Sequence, residues 1–304
     1  MTQHASPRAG PGPHRGYVLG IIAVMMGGVF LSSGGLLVRH IDAADGWQIM
    51  FYRSLAFVLT VLVFLLWRYR GRIVKPFLNI GRPGLVVVLA LGAGFTLYLF
   101  ALLNTTVANV AFILSAGPFF SALLAWIILR EKVALLTWVA MLGAMAGIGL
   151  MVANGLEEGH FLGNIIALGA PITFAVMIVS IRKAGARDMM PAICLAGLIA
   201  GGAATIMAPT LIIPNQDLIL SLLLGSVQLA FGFMCITYGA RYVPAAQVAL
   251  LALTETVLAP TWVWLFLGET PSTVSLTGGI VVLIAVLAQG LYGLYLDKRT
   301  ASDP

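Results

Sequence analysis

Apolar residues run along this chain in long blocks separated by short polar links. A helix needs about 20 apolar residues to cross the hydrocarbon core of a bilayer. Ten blocks meet that length: Tyr17–Val38, Trp47–Trp67, Leu85–Leu103, Val107–Leu129, Ala134–Ala153, Phe161–Ile181, Met190–Ile213, Leu218–Ala240, Ala245–Leu267 and Thr273–Leu296. Only Asn104, Thr105 and Thr106 separate the third block from the fourth. Several other links are equally short, which leaves no room for a sizeable soluble domain. The expected fold is therefore all-α and integral to a membrane, with ten transmembrane helices.

Composition agrees with that pattern. Hydrophobic residues make up 60% of the chain and charged residues 9%, with a mean hydropathy of +1.02. Soluble domains average about a quarter charged residues. A net charge of +6 would raise nucleic-acid binding in a soluble protein. Here membrane topology explains it better, because cytoplasmic links retain Lys and Arg. Of the 17 basic residues, Arg8, Arg15, Arg68, Arg70, Arg72, Lys75, Arg82, Arg130, Lys132, Arg182, Lys183, Arg187, Arg241, Lys298 and Arg299 fall on the side of the two termini. The other side holds Arg39 together with Asp42, Asp45, Glu157, Glu158, Asp217 and Glu269. Both termini are thus expected in the cytoplasm. Residues 1–16, rich in Pro, Gly and polar groups, read as a disordered tail. The stretch Tyr17–Val38 is too long for a signal-peptide core and reads as the first span.

The chain also repeats itself. Val107–Glu131 reads VANVAFILSAGPFFSALLAWIILRE, and Ala245–Glu269 reads AAQVALLALTETVLAPTWVWLFLGE. In that register Ala108 meets Ala246, Val110 meets Val248, Ala111 meets Ala249, Trp126 meets Trp264 and Glu131 meets Glu269. The stretches after Leu19-Gly20 and Leu162-Gly163 also correspond, ending at Arg39 and Arg182. Two halves, 17–153 and 161–296, then carry five spans each. Because five is odd, the halves run in opposite directions, as in many secondary transporters with a solute site between inverted repeats.

These residues resemble the drug/metabolite transporter superfamily in its EamA-type branch. The resemblance rests on FYRSLAF in the second span, the A-x-x-V-A…W-x-x-L-x-E pattern of spans four and nine, and the inverted halves. It covers the chain after the tail and implies a secondary transporter working by alternating access. The overall sequence is similar to bacterial aromatic amino-acid exporters, which implies export of amino acids such as Phe, Trp or Tyr. One departure is visible: where that family often has Trp-Ala in the sixth span, this chain has Ile172-Thr173-Phe174-Ala175.

An ionisable residue deep in a span is a functional candidate by default. Two stand out. Glu255 lies about 15 Å into the ninth span, and Arg53 about 9 Å into the second from the opposite side, at 1.5 Å per residue. As the centre of a solute cavity, Arg53 attracts a carboxylate and Glu255 an ammonium group or a proton. The same residues also fit a structural ion pair between the halves, or an Arg53 that snorkels outward. Further candidates are Gln228, Thr254, Thr256, Asn109 and Ser115, which either bind solute or join helices by hydrogen bonds. Phe95, Tyr98, Tyr238, Trp262 and Trp264 are able to stack on a flat solute. Pro118 and Pro260 interrupt spans four and nine and are candidate hinges. Gly143-x-x-x-Gly147 and Gly197-x-x-x-Gly201 permit close helix crossings, inside the chain or in a weak dimer.

The remaining chemistry is sparse. Cys194 and Cys235 are isolated in apolar runs, so neither a disulfide nor a metal site is suggested. His40 and His160 sit at span ends and His4 and His14 in the tail; with one deep carboxylate, no catalytic pair forms, so an intramembrane enzyme is disfavoured. No ATP-binding loop is present. The expected partners are a small solute, membrane lipid and, as a candidate, protons. A facilitative exchanger or channel for another metabolite or a drug-like amine is the alternative reading.

Overall fold

The computed structural model describes residues 13–130, 135–157, 159–185, 187–239, 242–243 and 245–302. Glu131, Lys132, Glu158, Arg241 and residues 1–12 of the tail lie outside them, so the pairing of Glu131 with Glu269 is not described. Every regular element among the described residues is helical. The elements are α1 (Pro13–Arg39), α2 (Gly46–Arg68), a short α3 (Val74–Leu78), α4 (Gly81–Asn104), α5 (Val107–Ser115) and α6 (Gly117–Leu124). A π-helical turn, Ala125–Leu129, follows α6. Next come α7 (Leu135–Glu157), α8 (Phe161–Ala184), α9 (Met190–Met207) and α10 (Asn215–Leu223), the last continued by a π-helical stretch, Leu224–Phe231. The chain ends with α11 (Gly232–Gly239), α12 (Ala245–Leu267) and α13 (Thr273–Ser302).

Seven segments among the described residues are long and apolar enough to cross a bilayer: Gly16–Arg39, Gly46–Arg68, Gly81–Asn104, Val107–Leu129, Phe161–Ile181, Met190–Met207 and Asn215–Gly239. Shorter apolar stretches occupy Trp138–Asn154 and Thr273–Ala288. Several sequence-based boundaries change, among them the seventh span, which ends at Met207 rather than Ile213, and the eighth, which starts at Asn215 rather than Leu218. Helix α1 begins at Pro13, inside the expected tail, because proline fits the first helical turn without costing a hydrogen bond. The third span starts at Gly81 rather than Leu85, taking Arg82 and Pro83 into its first turn.

The prolines behave differently from each other. Pro118 sits at the first turn of α6, after a break at Ala116. Pro260 lies inside α12, which continues through it. A third, Pro171, lies inside α8.

Small residues set the helix crossings. Helix α9 packs on α2, with Gly197 against Phe57 and Val58, and Gly201 against Ser54. Helix α7 packs on α13, where a Cβ on Gly147 would stand 2.5 Å from the carbonyl oxygen of Gly278. Three of those four glycines are thus used within the chain, while Gly143 faces open space. Helix α4 packs on α8 and α9, and α1 packs on α11 and α12.

The turn from α1 to α2 is held by carboxylates. Asp45 Oδ1 accepts from the backbone N–H of Trp47 (2.7 Å) and Gln48 (2.9 Å), and Gln48 Oε1 accepts in return from Asp45 N (2.9 Å). This reciprocal cap satisfies donors that a helix start leaves open. Asp217, a loop charge by sequence, is in fact buried at 2% exposure in the first turn of α10. It accepts from the N–H groups of Ala43 (3.0 Å), Ala44 (2.8 Å) and Asp42 (3.5 Å). Replacing it with Ala orphans those donors at 1–3 kcal/mol each before relaxation. Asp217→Ala is expected to lower the stability of the purified protein by on the order of 3 kcal/mol, seen as a drop in thermal midpoint. An unchanged midpoint would show that solvent serves those amides.

Candidate functional site

Helix α2 carries Arg53 into the middle of the bundle, where the residue is 1% exposed. Its Nη1 donates to the backbone oxygen of Phe95 at 3.2 Å. The guanidinium carbon lies 5.8 Å from the Phe95 ring centroid and 5.5 Å from that of Tyr98. Its Nε and Nη2 are buried without a hydrogen-bond partner. Each aromatic contact is worth about 2 kcal/mol when desolvated. Taking the charge out of water costs several kcal/mol, so the aromatic faces and one hydrogen bond only partly offset it.

Opposite lies Gln228, inside the π-helical stretch. Its Nε2 donates to Leu31 O at 3.2 Å, while its Oε1 is buried and unpartnered. A π-helical stretch carries an extra residue per turn, a feature frequent at functional sites. Gly34 on α1 makes room for this group, since a Cβ there would meet Tyr98 Oη at 2.9 Å and Gln228 Nε2 at 3.1 Å. Beside it, Trp262 Nε1 donates to Ser32 Oγ at 3.0 Å. Phe57, Phe95 and Phe233 form an edge-to-face cluster with centroids 5.2, 6.0 and 6.5 Å apart.

Glu255 comes in on α12, whose backbone crosses α1 at Gly28. Tyr98 feels both charges, interacting electrostatically with Glu255 and with Arg53. Arg53 and Glu255 do not form an ion pair: those among the described residues are Arg39–Glu269 and Arg68–Asp188.

The structure groups Arg53, Phe95 and Tyr98, with Gln228 meeting Tyr98 at Gly34; Trp262 bonds Ser32 on α1, and Glu255 lies on the helix that crosses α1 at Gly28. Thr254 lies beside Gly28 at the α1–α12 crossing. Other expected site residues go elsewhere. Asn109 Nδ2 donates to Thr105 Oγ1 (3.2 Å) and Asn164 Oδ1 (3.1 Å), joining α5 to α8. Ser115 Oγ donates to Phe112 O on its own helix at 2.6 Å. Tyr238 packs on Tyr242 with centroids 5.3 Å apart, and Trp264 is exposed on the bundle surface. Sequence reasoning missed Ser32, Gly34 and Phe233. The one available signal for Gly34 is its place in the small-residue run Ser32-Ser33-Gly34-Gly35.

The two ends of the bundle differ. At the α1–α2 end, Arg39 Nε donates to Glu269 Oε2 (2.8 Å), Nη1 to Leu102 O (2.5 Å) and Nη2 to Thr105 O (2.7 Å). Glu269 Oε1 accepts from Val107 N at 2.9 Å, capping α5. One ion pair therefore ties α1, α4, α5 and the end of α12 together. At the opposite end Asp188 joins Arg68 (3.2 Å) and Tyr69 Oη (2.5 Å). Burial first, and then that hydrogen bond, push the Tyr69 phenol above its ordinary range. Two open clefts lie at this end, of about 560 and 840 Å³.

Apolar helices on the outside and a partly uncompensated polar centre within define a polytopic membrane protein. The chain belongs to the EamA-like transporter family, whose model matches residues 18–153 and 161–289. It is similar to an uncharacterized transporter of Archaeoglobus fulgidus, 25% identical over 268 residues, covering 88% of this chain and 95% of that one. It is similar to the pseudopaline exporter CntI of Pseudomonas aeruginosa, 24% identical over 281 residues, with the same two coverages of 88% and 95%. Solute carrier family 35 member G1 of Mus musculus is 26% identical over 184 residues, covering 55% of this chain and 48% of that one. A solved crystal structure aligns with a TM-score of 0.63 at 14% identity, over 92% of this chain and 98% of that one, a likeness of fold alone. The family and these relatives are transporters.

Proposed function

We propose that this protein is a secondary transporter that exports small zwitterionic metabolites by alternating access, with amino acids, the aromatic ones first, as the favoured solutes. In this reading ten helices cross the inner membrane as two inverted halves, 17–153 and 161–296, with both termini in the cytoplasm. The family match in two segments supports the two halves. So does the packing: α1 lies against α11 and α12 as α8 lies against α4 and α6. Glu255 attracts the solute ammonium group or exchanges a proton. Pro118 and Pro260 serve as hinges in the halves' motion. The name of one relative as an exporter supports the outward direction.

The observation that carries the proposal is Arg53, buried at 1% exposure with two nitrogens, Nε and Nη2, unpartnered among the described residues. A carboxylate is the ligand that a guanidinium fork binds best, through two parallel charge-assisted hydrogen bonds. Tyr98 and Phe95 beside it favour a flat apolar side chain on the same solute.

Uptake of labelled Phe into proteoliposomes, competed by amino acids, amines and sugars, tests the substrate class. Saturable flux blocked by Trp and Tyr but not by sugars is expected. Competition by amines and not by amino acids would overturn it and favour the amine carrier. For Glu255→Gln, flux is expected to lose the pH dependence that wild type shows. An unchanged pH profile in that variant would remove Glu255 from proton coupling.

A further inference from the structure

At the end of the bundle remote from the Arg39–Glu269 pair, the cleft of about 840 Å³ opens between the start of α4, the end of α8 and the π-helical turn after α6. Arg82, Lys183 and Arg187 line it, and all three are exposed. Among the described residues no acidic side chain lines this cleft, and the two ion pairs employ other cations. Arg187 lies against Gly81, the first residue of α4, where an added Cβ would clash with its guanidinium. That glycine adopts φ +61°, a conformation which costs other residues free energy, so the close approach and the turn both require it.

Below the cations the wall is apolar. Val86 lies one turn into α4 from Arg82, about 6 Å deeper at 1.5 Å per residue. Val176 lies two turns below Lys183 on α8 and is half-buried. Ile128 adds a third side, and both Val86 (44% exposed) and Ile128 (48%) face outward from the bundle. Among the described residues the chemistry is therefore three cations outside any ion pair, above an apolar wall that continues onto the outer surface of the bundle. Arg53, Tyr98 and Glu255 do not line it.

We infer that this cleft binds an anionic phospholipid, its phosphate held by Arg82, Lys183 and Arg187 and one acyl chain lying against Val86, Ile128 and Val176. A soluble anion satisfies the cations but leaves the apolar wall uncovered. A zwitterionic lipid covers the wall but brings its own ammonium group to the cations. Only an anionic lipid matches both. The inference depends on the membrane setting and not on which solute is carried.

The test uses the full chain, purified in mild detergent and incubated with phosphatidylglycerol, phosphatidylcholine or inorganic phosphate. Bound lipid is counted by native mass spectrometry and stabilisation by the thermal midpoint. Phosphatidylglycerol is expected to be retained and to raise the midpoint, with phosphatidylcholine and phosphate giving neither. In Arg82→Gln/Lys183→Gln/Arg187→Gln, apparent affinity for phosphatidylglycerol is expected to fall roughly fivefold per cation removed, about a hundredfold in all. Val86→Trp fills the apolar wall and keeps every charge, and is expected to weaken phosphatidylglycerol binding as well. If the triple variant does not fold, Lys183→Gln and Val86→Trp decide the matter separately. Equal retention of the two lipids, displacement by inorganic phosphate, or undiminished binding in the variants would overturn the assignment.

Discussion

Arg53→Met is expected to make the protein more stable and to abolish transport. Methionine fills a similar volume without a charge and packs well beside aromatic rings. Replacing buried ionic groups by apolar ones of similar size stabilises by about 1–4 kcal/mol in other proteins. Among the described residues Arg53 has one hydrogen bond, to Phe95 O, and two unpartnered nitrogens, so the same sign is expected here. The transport loss follows from the same atoms. Losing a buried charged partner costs a bound carboxylate about 2–5 kcal/mol, or some thirtyfold to several-thousandfold in affinity. Arg53→Lys keeps the charge without the planar fork and is expected to retain only part of the flux. Thermal scans with and without solute distinguish the roles. Wild type gains stability with solute, and Arg53→Met starts higher and gains nothing. A variant that is less stable yet transports normally would make Arg53 a structural tie between helices.

The second large effect is expected at Glu269. Its carboxylate holds Arg39 and caps α5 through Val107 N, so Glu269→Gln weakens one end of the bundle at two points. Side-chain exposures of 25% and 24% reduce the ion pair well below a fully buried one. A coupling of about 1.4 kcal/mol shifts an open–closed equilibrium tenfold. Ser32 is fully buried and adjoins Trp262, which makes Ser32→Cys, with Cys194 and Cys235 replaced, a reporter of opening. Its labelling by a membrane-impermeant thiol reagent is expected to rise about tenfold in Glu269→Gln. Adding Arg39→Ala is expected to change little further, because residues in one network are not additive. Unchanged labelling would mean that this end is held by Asp217 and the packed helices rather than by the ion pair.

The transmembrane class was legible because a bilayer imposes a length and an apolarity that the sequence shows directly. The family was legible from FYRSLAF and the span-four and span-nine pattern. Arg53 and Glu255 stood out because charge is costly at their depth. Asn109 and Ser115 stayed open in the sequence between two readings, for a different reason. A polar residue in an apolar helix bonds either a solute or a neighbouring helix, and only the neighbour's position decides. Asn164 takes the first of them, and the helix's own Phe112 carbonyl takes the second.

The chain by itself therefore determined its solvent, its helical class and the charges that had to be buried, since each follows from local hydropathy. The tertiary structure decided which charges meet. It kept Arg53 and Glu255 from pairing, set Tyr98 beside Arg53, and engaged Glu269 with Arg39 across the bundle. Those outcomes depend on how α1, α2, α4 and α12 cross, and crossings are set by glycines such as Gly28 and Gly34, whose role becomes visible only when the opposing helix is in place.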